Sequence, residues 1–100
     1  HPYGIEAYGD RLERTFRICL PWYANTPRAV HVAIRRAGGK PAELMLTANH
    51  ATCQQTIAAG QSKSVELPIE PAAFSHVIDM RGQWRGKGGS LRLEAVEVRT

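Results

Sequence analysis

The chain shows no helical periodicity, and several other absences bound what it can be. No stretch repeats apolar residues at the three-and-four spacing of an amphipathic helix, which excludes a helical bundle. No apolar run approaches the roughly 20 residues that a bilayer-spanning helix needs. Cysteine is scarce: Cys19 and Cys53 stand alone, with no C-x-x-C spacing and no second ligand pair for structural zinc. They fall on different predicted strands, and a disulfide and two thiols both stay open, because pairing needs Cα atoms within about 7 Å. Lysine is scarce as well. Only Lys40, Lys63 and Lys87 occur, so the net charge of +4 is mostly arginine, with Glu66, Glu70, Asp79, Glu94 and Glu97 interspersed. A bias this mild suits contact with phosphate, uronic acids or an anionic surface, whereas a dedicated nucleic-acid binder is more one-sided.

Catalytic sets are missing too. Ser62, Ser64, Ser75 and Ser90 lack a nucleophile-elbow setting, and the carboxylates fall at alternating solvent positions of predicted strands without the paired placement that glycoside hydrolysis uses. His1, His31, His50 and His76 show no His-x-His or His-x-x-x-His spacing, so no metal site or cofactor is expected. His31 reads as an outer-surface residue and His76 as a buried or edge histidine. An enzyme is therefore disfavoured. His1 leaves a minor alternative, a copper-binding protein that chelates through its terminal amine and imidazole. The start at His1, with no Met and no signal peptide, reads as a processed product or an excised segment.

What the sequence has in abundance is alternation. Phe16, Ile18 and Leu20; Val30, Val32 and Ile34; Leu44, Leu46 and Ala48; Val65, Leu67 and Ile69; and Leu91 and Leu93 each point to one side of a pleated strand. Strands are predicted near 13–20, 28–36, 43–48, 52–58, 62–69, 74–80 and 90–99, with a short one near 5–8 and one helical turn at 70–74. Pro21, Asn25-Thr26-Pro27, Gly38-Gly39, Asn49-His50, Gly60 and the 82–89 segment supply turn chemistry between them. Strand starts every 8–12 residues or so predict an all-β antiparallel sandwich or jelly roll of seven to eight strands, with residues 1–100 as one domain. The last strand changes phase, from odd Leu91 and Leu93 to even Val96 and Val98, which predicts a β-bulge at 94–96.

A sandwich of this size has no deep pocket of its own, so chemistry belongs to a sheet face or to end loops. Trp22 and Tyr23 follow Pro21 in a loop where an aromatic pair could stack on the C–H faces of a sugar ring, or where Trp22 could cap the core. The stretch Arg81-Gly82-Gln83-Trp84-Arg85-Gly86-Lys87-Gly88-Gly89 reads as a binding loop: Trp84 offers a flat face, and Arg81 and Arg85 offer forked donors for a carboxylate, phosphate or vicinal diol. Its bland alternative is a solvated hairpin with Trp84 folded back. Asn49 and His50 form a turn with ligand-contact chemistry. The expected ligand-binding set is thus Trp22, Tyr23, Asn49, His50, Arg81, Trp84 and Arg85.

Tyr3-Gly4-Ile5-Glu6, Arg14-Thr15-Phe16-Arg17-Ile18, Val30-His31-Val32-Ala33-Ile34 and the closing run from Gly88 to Val98 together resemble galactose-binding-like jelly rolls. These are small sandwiches attached to bacterial glycosidases, glycosyltransferases and surface proteins. The resemblance implies a non-catalytic, carbohydrate-binding accessory domain of a bacterial, extracellular or periplasmic protein, partnered by a glycan or polysaccharide. It carries over no individual ligand residue. The alternative is a structural module that packs against a parent catalytic domain or a second subunit. Membrane and nucleic acid are not expected as partners.

Overall fold

The computed structural model describes residues 11–23, 26–70 and 76–100. Its eight strands are β1 (Arg11–Leu12), β2 (Thr15–Pro21), β3 (Ala29–Ala37), β4 (Ala42–Ala48), β5 (Ala51–Ile57), β6 (Ser62–Pro68), β7 (Val77–Arg85) and β8 (Ser90–Arg99). They form two four-stranded sheets, ordered β1-β8-β3-β6 and β2-β7-β4-β5, and every pairing is antiparallel. Strand β1 pairs with β8, β2 with β7, β3 with β6 and β4 with β5. The chain is thus one long antiparallel ribbon, opening from the β4–β5 turn, that wraps over itself into two layers. This is the jelly-roll order of an all-β sandwich.

The alternating apolar sets produce it. Val30, Val32 and Ile34 turn inward from β3, Leu44 and Leu46 from β4, and Leu91 and Leu93 from β8, each no more than 2% exposed. The phase change in β8 is absorbed as expected: Ile34 faces Leu93 and Ala33 faces Ala95, so Glu94 is the extra residue of a bulge. Val96 and Val98 thereby stay on the core side, half-buried against it.

Two strands differ from the sequence reading. The strand expected at 13–20 is β2 and begins at Thr15; a separate short strand, β1, precedes it on the other sheet, and at Glu13 and Arg14 the chain crosses between the two. The strand expected at 74–80 runs on to Arg85, because Gly82 takes an inward position that the ring of Phe16, its cross-strand partner, covers. A methyl group on Gly82 would fall inside that ring. Most of the expected helical turn and the short strand near 5–8 lie outside the described residues.

Cys19 and Cys53 are free thiols. They stand on β2 and β5, the two edges of one sheet, so three strand spacings alone put their strands about 14 Å apart, too far to bridge.

Candidate functional site

Trp84 is not a free stacking platform. It projects inward from β7, only 7% exposed, and its Nε1 donates to the Glu13 carbonyl at 2.9 Å. The Arg14 guanidinium covers one part of the ring at 3.9 Å from the centroid and Arg36 approaches at 5.2 Å, so a sugar has no open indole face to meet. Arg81 and Arg85 share β7 with it rather than a mobile loop, and alternate to the opposite, exposed side. The true loop is 86–89. It lies against Gly38 and Gly39, and the fully buried Arg36 ties the two together by donating to the carbonyls of Lys40, Lys87, Gly88 and Ser90.

At the far end of the same sheet, the expected aromatic pair divides. Tyr23 is 75% exposed and stacks on His76, with ring centroids 5.3 Å apart. Trp22 packs against the core instead, its backbone N–H bound to the His76 carbonyl. His76 is exposed, with a left-handed backbone (φ 60°), rather than a buried or edge residue, because β7 begins one residue later. Asn49 is committed to the fold: its side chain accepts from the Asp79 N–H and donates to the Val77 carbonyl. His50 beside it is exposed. The expected set therefore splits between the two ends of β7, whose nine residues span about 26 Å.

The structure offers a different juxtaposition on the outer face of this sheet. Thr15, Gln83, Met45 and Gln54 lie abreast on four neighbouring strands, with Arg85, Glu43 and Thr56 in the next row. These side chains, with Arg14 and the edges of Leu44, Gln55 and Trp84, line an open groove of about 510 Å³. Arg85 donates to Glu43 at 3.2 Å, and the Gln83 amide touches only the Met45 sulfur, at 3.9 Å. Of the expected residues, Arg85 and the edge of Trp84 line this groove. Gln54, Gln83, Thr15 and Thr56 were missed. Their signal in the sequence is parity, since each sits opposite an inward apolar position.

Below the groove, Arg17, Arg81, Thr47 and Thr52 continue the face. Arg17 grips both Asp79 oxygens, at 2.8 and 3.1 Å, and Arg81 approaches at 3.6 Å. The hydrogen bonds from Arg17 hold the Asp79 carboxyl below its usual range against the opposing effect of desolvation, and its charge and that of Arg81 act in the same direction. On the other sheet, His31 is half-buried on the outer face, 3.9 Å from Glu66. Among the described residues, no three His, Cys, Asp or Glu side chains gather as a metal site. His1 lies outside them.

Fold and face together define a class: a jelly-roll sandwich with a polar, hydrogen-bonding groove across one sheet. No family model and no curated protein matches the chain.

Proposed function

We propose that this chain is a non-catalytic carbohydrate-binding module, of the kind the galactose-binding-like resemblance implies, and that it holds glycan across the outer face of β2, β7, β4 and β5. The observation that supports the reading most is the groove chemistry. Three primary amides, two threonine hydroxyls and two arginines line the groove with the thioether of Met45, offering both donors and acceptors beside a small apolar patch. A pyranose ring presents that mixture of hydroxyls and C–H surface. The groove's open shape suits a chain that continues past it.

Charge placement supports binding without hydrolysis. Glu43 and Asp79, the carboxylates of this face, are each engaged by an arginine. They lie about 20 Å apart along the strands, against the roughly 5–9.5 Å over which paired carboxylates act on a glycosidic bond.

Titration calorimetry against a panel of neutral and acidic polysaccharides tests the reading. Binding with Kd of roughly micromolar to millimolar is expected. Gln54→Ala with Gln83→Ala should weaken it about tenfold or more, the loss of one or two hydrogen bonds. Undiminished binding by that double variant would overturn the groove assignment, and no binding to any glycan would favour the packing-module alternative.

A further inference from the structure

The outer face of the opposite sheet carries a row that the groove does not explain. Arg11 on β1 stands directly across from Arg92 on β8, and Arg92 directly across from Arg35 on β3. All three are exposed. Neighbouring strands lie about 4.8 Å apart, so three guanidinium stems stand side by side over about 10 Å. Ser62, also exposed, extends the row on β6 opposite Arg35. None of the three arginines forms an ion pair among the described residues. Farther down the same face, Arg99 does find carboxylates, pairing with Glu66 and Glu97.

Like charges directly opposite on neighbouring strands destabilise a sheet. Three abreast, with no ion pair among the described residues, make an arrangement that a bound anion would relieve. The surroundings add to the field. Only Arg17, Arg28, Arg81 and Arg99 lie in the lower half of the sandwich, below the Ile34–Leu93 and Met45–Gln83 rows. The other nine of the 13 Lys and Arg gather in the upper half with only two described acids, Glu13 and Glu43.

We propose that the Arg11–Arg92–Arg35 row is a second binding site, for the carboxylate or sulfate groups of an acidic polysaccharide. Guanidinium forks match such planar or tetrahedral oxyanions, and a flat row of them matches a polymer with charge repeated along its length. The choice of a polysaccharide among polyanions rests on the carbohydrate reading above, and two observations favour it. Among the described residues the row has no aromatic beside it on which a nucleobase could stack, since the large exposed hydrophobic there, Tyr23, is at the other end of the sandwich. Among the described residues, too, the end that carries the row presents no exposed large apolar side chain to enter a lipid interface.

Affinity chromatography and titration on heparin and polygalacturonate test it, with a single-stranded oligonucleotide and phosphatidylserine vesicles as competing probes. Arg35→Gln with Arg92→Gln should weaken binding to the acidic polysaccharides at least tenfold and lower the slope of log affinity against log salt by about one per arginine removed. The double variant should melt no lower than the parent, because a like-charge contact is removed. Wild-type affinity and slope in that variant would overturn the proposal. So would tighter binding of the parent to the oligonucleotide or the vesicles than to either polysaccharide. Binding of acidic polysaccharide through the row with no neutral glycan bound in the groove, unaffected by Gln54→Ala and Gln83→Ala, would overturn the groove assignment and leave this site standing.

Discussion

Trp84 and Asp79 sit on the same strand but face opposite layers, and their neighbours set different tests for them. The Trp84 indole is buried in the core, with its N–H spent on the Glu13 carbonyl and the guanidinium groups of Arg14 and Arg36 against its ring. Trp84→Ala should therefore lower stability by about 3–5 kcal/mol, as loss of a buried aromatic does, measured by chemical denaturation. A variant that keeps its stability and loses only glycan binding would return the indole to the ligand site. Asp79 responds to pH. Its folded pKa lies below the unfolded value, so the stabilisation from Arg17 is fully present above about pH 4 and lost as pH falls through the folded pKa. The stability gap between the parent and Asp79→Asn should close over that acidic window. In Arg17→Gln, the Asp79 carboxyl, followed by NMR, should titrate at higher pH than in the parent; an unmoved midpoint would contradict the assigned cause.

At the scale of elements, the bulge in β8 sets both the core and the surface. Because Ile34 faces Leu93 and Ala33 faces Ala95, removing Glu94 makes those two pairs consecutive and leaves Val96 and Val98 pointing inward. Deletion of Glu94 should fold with the parental pairing at a cost below about 2 kcal/mol. Deletion of Ala33 from the central strand should prevent folding, since it turns Val30 and Val32 to the outer face. Cross-strand nuclear Overhauser contacts from Leu93 and Val96 to β3 decide between these outcomes. The bulge was legible in the sequence because two odd leucines give way to two even valines. The extent of β7 was not, because Gly82 contributes no side chain to the inward pattern and the Phe16 ring that replaces one comes from another strand. The groove and the arginine row were hidden for a related reason. Alternation tells which side a residue faces, but which residues stand abreast follows from register, and Arg35 meets Arg92 only through pairings that the bulge offsets.

Across the whole molecule, a modest net charge conceals a polar distribution. Among the described residues, the lower half sets Glu66, Glu70, Asp79, Glu94 and Glu97 against four arginines and is close to neutral, while the upper half holds a large positive excess. A field concentrated at one end steers an approaching polyanion to that end, and steering acts on the association rate and fades with ionic strength. Net charge alone would act differently, being indifferent to where the charges stand. Two variants of equal charge separate these effects. Lys40→Glu with Lys87→Glu alters the upper loops, and Arg28→Glu with Arg99→Glu alters the lower end; each brings the net charge from +4 to about zero. Surface plasmon resonance on immobilised heparin at low salt should show association slowed about tenfold or more in the first and within about threefold of the parent in the second. Equal slowing in both would mean that total charge governs the encounter, and the upper end would then have no special part in capturing the polymer.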